Sequence, residues 1–294
     1  MKKILVPTDF SQPAHNAARY AINLAKGIKA NVELCHAMFV PAESPFAAQS
    51  PWPVEDYSSI KKQSTQELKF LANKLAAEEQ LAETEEISST KIEYTAEAGS
   101  VAEIVSNLVD QKDVDLVVMG LTGKSQFMRQ ILGSNSLGVL NMATFPVLLV
   151  PDHASFKPIK KIAFATDLSA GDIDVIHCLS GLARHLSADI LITHVSREKL
   201  NQPDHQKKID IFISDVICKV NYNKIYYRHI SEGNVDSGLS WLIANSGIDI
   251  LVMVHRQRSF FSGLFKSSHT KRLAKHIQIP LFVFPENVQS VCFF

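Results

Sequence analysis

The chain carries no excess charge of either sign. Thirty Lys and Arg balance thirty Asp and Glu, which argues against a broad nucleic-acid-binding face. Cysteine is scarce: Cys35, Cys178, Cys218 and Cys292 are the four, and none forms a C-x-x-C pair. That spacing excludes a disulfide framework, and free thiols in a reducing cytoplasmic compartment are the expectation. No stretch approaches the roughly 18 apolar residues of a membrane span. The opening Met1-Lys2-Lys3 resembles a signal peptide, but Pro7 interrupts the apolar run too early. Eleven histidines are present without H-E-x-x-H or Cys/His ligand spacing, so no metal site is expected.

What is present is an ordinary globular composition, 46% apolar and 20% charged, enough to bury sizeable cores. Its 294 residues fit two domains at roughly 150 residues each. Internal repetition makes that division specific. Ile4-Leu-Val-Pro-Thr-Asp-Phe-Ser11 matches Ile162-Ala-Phe-Ala-Thr-Asp-Leu-Ser169, an offset of 167 − 9 = 158. The register holds through His36 and His194. From Gly99 and Gly233 onward the offset is 233 − 99 = 134, and Asp115-Leu-Val-Val-Met119 matches Asp249-Ile-Leu-Val-Met253. The first half carries the extra length, in Pro41 to Asp56 and the segment after it. The repeats run over 1–151 and 158–285, joined by a proline-bounded linker.

In the first half, short apolar runs alternate with helical patterns. Strands are predicted at Ile4–Val6, Val32–Met38, Lys91–Ala96, Asp115–Met119 and Val147–Val150. Helices are predicted from Ser11 with Pro13 just inside, over 57–83, from Gly99-Ser100, and over Ser134–Met142. The Glu-rich run from Glu78 to Glu86 reads as an exposed helix end. Such alternation predicts two tandem doubly wound α/β domains, each a five-stranded mainly parallel sheet flanked by helices. Ligands of such sheets bind beyond the carboxyl ends of the strands.

Gly120-x₂-Gly123-x₉-Gly133-Ser134 follows the fourth strand and enters a helix. Gly123-Lys124-Ser125 invites a Walker A reading, but Val118 stands where that loop requires glycine. Glycines nevertheless let backbone N–H groups approach phosphate oxygens. Ser134, Asn135 and Ser136 would add donors at a helix N-terminus, where the dipole favours an anion. Lys124 and Arg129 add charge nearby, and Asp9 could accept from ribose hydroxyls or meet a metal ion.

Pro7-Thr8-Asp9-Phe10-Ser11, Leu34-Cys35-His36-Ala37 and the long glycine spacing ending in Phe145-Pro-Val-Leu-Leu-Val150 resemble the universal stress protein family. The resemblance is to its two-repeat members. It implies an adenine nucleotide alpha hydrolase-like fold and binding of ATP or another adenine nucleotide, with Mg²⁺ a candidate companion. It carries over Thr8 and Asp9 as nucleoside contacts and Ala37 as a neighbour of the adenine. Met119, Gly120, Leu121 and Gly123 would line the base and phosphates, and Gly133, Ser134, Asn135 and Ser136 would hold the triphosphate. The implied role is stress-linked sensing or signalling, and hydrolysis would be slow because no base or water-positioning residue is evident. The alternative is a protein-interaction scaffold in which nucleotide is structural or absent, its protein partner unidentified. The family also implies pairing of last strands, here between the two repeats, with a homodimer left open.

The second repeat has Val254, Gln257 and Ser267 where the first has Gly120, Gly123 and Gly133. Nucleotide binding of the first kind is therefore expected there to be lost. Basic residues such as Arg256, Arg258, Lys266 and Lys271 gather instead, with Phe260, Phe261 and Phe265 among them. Pro41–Asp56 has no counterpart in the second repeat and is expected to be a flap over the first site.

Overall fold

The computed structural model describes residues 2–38, 57–81, 90–121, 133–196, 203–256 and 278–286. The first repeat runs β1 (Lys3–Pro7), α1 (Gln12–Ile28), β2 (Asn31–Met38), α2 (Tyr57–Leu81), β3 (Ile92–Ala98), α3 (Val101–Lys112), β4 (Leu116–Leu121), α4 (Gly133–Met142) and β5 (Val147–Pro151). The second runs β6 (Lys161–Thr166), α5 (Asp172–Leu186), β7 (Asp189–Ser196), α6 (Pro203–Lys219), β8 (Ile225–Ser231), α7 (Val235–Asn245), β9 (Ile250–His255) and β10 (Leu281–Pro285).

The ten strands form one sheet in the order β3-β2-β1-β4-β5-β10-β9-β6-β7-β8. Each repeat contributes five parallel strands, and the two sets meet through the antiparallel pair β5–β10. The last strands are thus central in the sheet, so neither apolar strand is left as an open edge. Helices α1, α2, α5 and α6 cover one face around Leu34, Leu75, Phe164 and Phe282. Helices α3, α4 and α7 cover the other around Val105, Val117, Leu149 and Leu251. Both faces being covered explains why β4, β5, β9 and β10 are nearly continuous apolar runs.

The element boundaries follow local chemistry. Ser11 caps α1 by accepting from Ala14 N, with Pro13 in the first turn. Ser100 and Glu103 form a reciprocal capping box at α3. The repeat-equivalent Asp115 and Asp249 both accept main-chain N–H groups at the start of their repeats' first strands, Lys3 N at 2.7 Å and Lys161 N at 2.8 Å. The linker is packed rather than loose: Asn16 Nδ2 donates to Pro151 O and Ala154 O, both at 2.9 Å, and Ile159 is buried.

One helix reading needs correction. Glu79 does not lie on an exposed helix end; it is 7% exposed near the end of α2. Its carboxylate accepts from Lys26 Nζ at 2.7 Å and Asn23 Nδ2 at 3.2 Å on α1. A local charge run carries no information about a neighbouring helix that supplies partners, and those partners make the burial tolerable.

Candidate functional site

The sheet order places the topological switch of the first repeat between β1 and β4, whose next neighbours lead in opposite directions. A cleft of about 230 Å³ opens there beyond the strand ends. It gathers Thr8, Asp9, Ala37, Met119, Gly120, Ser134, Asn135 and Ser136, eight of the eleven residues singled out in the sequence. Leu121 is not among its lining residues; it ends β4, is 8% exposed and packs in the α3/α4-side core. Gly133 begins α4. Gly123, Lys124 and Arg129 lie outside the described residues, as does the expected flap at 41–56.

The Thr8-Asp9 pair first builds a turn. Thr8 Oγ1 accepts from Phe10 N at 3.1 Å and Asp9 Oδ1 accepts from Ser11 N at 3.0 Å. Phe10 takes a left-handed φ of 61° as a result. The second repeat repeats the device: Thr166 and Asp167 accept from Leu168 N and Ser169 N, and Leu168 has φ 65°. The strand-two histidines brace the same turn, His36 Nδ1 lying 2.8 Å from Thr8 O and His194 Nδ1 2.9 Å from Thr166 O. Their shared position is therefore architectural in both repeats.

Gly120 has a steric reason to be glycine. A Cβ there would stand 2.4 Å from Pro13 O and 2.6 Å from Pro13 C, so β4 and the first turn of α1 touch backbone to backbone. This contact, and the apolar wall of Val101, Ile104 and Val105, were not singled out in the sequence. The helical spacing of the wall is visible there, but which cleft it faces is not. Beside it Cys35 is buried, and burial pushes its thiol well above the ordinary range, so no thiolate nucleophile is available.

The second repeat places different side chains around the equivalent positions. Val254 stands at the Gly120 position, and Gly171 stands at the Pro13 position. Helix α5 begins at Asp172, which aligns with Ala14, so its first turn starts later than that of α1. The Arg256 guanidinium donates to both Asp167 and Asp172, and Thr166 Oγ1 donates to Asp172 at 2.6 Å. Burial pushes the Asp172 carboxyl up to about 6, against the lowering by Thr166 and Arg256. Val195 occupies the Ala37 position, and its Cγ1 lies only 2.3 Å from where a Cβ on Gly238 would be. The remaining residues of the basic and aromatic segment, 257–277, lie outside the described residues.

With this geometry in view, likeness to known proteins decides the family. The Universal stress protein family model matches residues 1–151 and 158–285. The chain belongs to that family. It is similar to Universal stress protein MJ0531 of Methanocaldococcus jannaschii, at 36% identity over 152 residues, 51% of this chain and 81% of that protein. It is similar along 97% of its length to all of Universal stress protein Slr1230 of Synechocystis sp., at 25% identity. A universal stress protein from Archaeoglobus fulgidus shares the fold, with a TM-score of 0.68, 17% identity, and 97% of this chain and 98% of that one covered. Among the described residues of this universal stress protein, no helix is long and apolar enough to cross a membrane.

Proposed function

We propose that the first repeat binds an adenine nucleotide, ATP or a close relative, and that the chain carries one such site. The observation that carries this reading is the convergence of Thr8, Asp9, Ala37 and Gly120 with Ser134–Ser136 at the β1/β4 switch point. A ten-residue helix, α4, starts at that cleft, and its unpaired N–H groups suit phosphate oxygens. Ala37 and Met119 offer the small and apolar surfaces a purine needs. Asp9 is the carboxylate of the cleft; it would accept from ribose hydroxyls or meet Mg²⁺ carried on the phosphates, which would neutralise phosphate charge.

The second repeat supports a count of one. Arg256 neutralises Asp167 from within, Val195 fills the position of Ala37, and Val254 replaces Gly120. The first repeat, 1–151, is then the nucleotide domain and the second, 158–285, the degenerate one. Binding without an evident general base fits a sensing or signalling role with slow or no hydrolysis. A scaffold reading has one observation in its favour: Phe70 on α2 and Ile211 and Ile217 on α6 are exposed apolar side chains.

Protein purified without added ligand should retain adenine nucleotide, and calorimetry on stripped protein should give one site per chain. Gly123→Val should abolish retention. Nucleotide retained in that variant overturns the site, and two equivalent sites overturn the count. Capture of a protein partner that is indifferent to ATP would favour the scaffold.

A further inference from the structure

The strand order that makes the last strands central leaves β3 and β8 at the two ends of the sheet. Among the described residues, β3 pairs with β2 alone and β8 with β7 alone, so each presents one row of backbone N–H and C=O groups that the sheet does not pair. The two edges differ in charge. β3 carries Glu93 and Glu97 and no base. β8 carries Arg228 and His229 and no acid, with Lys224 immediately before it. Tyr94 on β3 and Tyr226 on β8 are both exposed.

We propose that β8 pairs antiparallel with β3 of a second copy of this chain, so that copies join head to tail through one extended sheet. The antiparallel β5–β10 seam gives the strands of the two repeats opposite directions. A second copy set beside the first in the same orientation therefore offers β8 an antiparallel β3. The layers match as well. Ile92 and Ala96 pack on the same core face as Ile225 and Tyr227, the face covered by α1, α2, α5 and α6. One register that preserves those faces sets Glu93 opposite Arg228, Tyr94 opposite Tyr227 and Glu97 opposite Lys224. Opposite charges facing across strands stabilise a pair, and like charges destabilise it. Pairing β3 with β3, or β8 with β8, gathers charge of one sign. The charges thus select the unlike edge, a heterologous contact that builds a ring or a filament rather than a closed dimer.

The surroundings of β8 have room for such a neighbour. Helix α2 lies against β3, whereas α6 makes few contacts with β8. Between α6 and β8 a groove of about 680 Å³ is lined by Ile213, Ile217 and Tyr227, and Ile217 is largely exposed. Tyr227 Oη is buried there without a hydrogen-bond partner among the described residues. Glu93 is already ion-paired with Lys3 at 3.1 Å, so Glu97 and Lys224 are the charges to reverse. The contact does not depend on nucleotide binding in the first repeat.

The test is sedimentation of the full chain over a range of concentrations, where species larger than the single chain should grow in. Glu97→Lys and Lys224→Glu should each weaken association about tenfold or more, because each sets like charges opposite one another. An equimolar mixture of the two variants should associate again, since each supplies the edge the other lacks. In the unaltered chain, amide exchange over 92–98 and 225–231 should slow as concentration rises, which keeps the test decisive if a variant misfolds. A single chain at every concentration, association unchanged in either variant, or exchange at both edges that ignores concentration overturns the proposal.

Discussion

Leu148 and Phe282 are the same position of the two repeats, and they face each other across β5 and β10. On either side, Val147 faces Val283 and Leu149 faces Leu281. The chain's internal pseudo-two-fold therefore passes through one cross-strand pair. Both side chains are essentially without solvent contact.

Breaking this pair should be expensive. Leu148→Ala should cost about 2–5 kcal/mol and Phe282→Ala about 3–5 kcal/mol in urea unfolding. Because the residues occupy one seam, the double variant should lose measurably less than the sum. Strict additivity would mean that the two side chains do not couple across the seam.

Gly120 is held as glycine by the backbone of Pro13 and Ala14. Gly120→Ala places a Cβ on the Pro13 carbonyl and should destabilise by about 1–3 kcal/mol. Pro13→Gly alone leaves the Pro13 carbonyl in place, so adding it should not recover the loss. Full recovery of Gly120→Ala by Pro13→Gly would show that the backbone contact is not the cause.

Arg256→Ala should leave Asp167 and the buried Asp172 facing each other without a cation. A loss of about 3–5 kcal/mol at neutral pH is expected, as for one partner removed from a buried pair. The carboxyl of Asp172 is already raised to about 6 by burial. Its contribution to stability is thus full below about pH 3.8 and falls as the pH rises through about 6. The deficit of Arg256→Ala should therefore shrink in acid, and a pH-independent deficit would refute the pair's role.

His229, His15 and His255 are each held below the ordinary imidazole value of about 6.5, first of all by burial. Their folded forms bind protons less readily than the unfolded chain. Their contribution to stability is complete above about pH 6.5 and is lost as the pH falls through the depressed values. NMR titration of the ring protons should place the midpoint of His229 below about 6.5; a midpoint above that value would contradict the burial.

Much of the fold was legible because repeated sequence and strand–helix alternation are local signals. Ser11, Ser100 and the prolines mark helix starts through hydrogen bonds that span only a few residues. The glycine spacing and the place of Thr8-Asp9 just after the first strand pointed to a strand edge for the same reason. Asp9 was legible as a candidate residue of the cleft, and its bond to Ser11 N shows that it also builds the turn.

The sequence by itself determined the duplication, the two α/β domains and the difference between the repeats at Gly120 and Val254. Only the tertiary structure decided what those differences do. Gly120 matters because α1 presses against β4, and Arg256 because Asp167 and Asp172, 89 and 84 residues away in the chain, lie within its reach. The burial of Glu79 and the bracing of the Thr8 turn by His36 have the same origin. Each depends on contacts between elements distant in sequence, and periodicity specifies a buried face without naming what will pack against it.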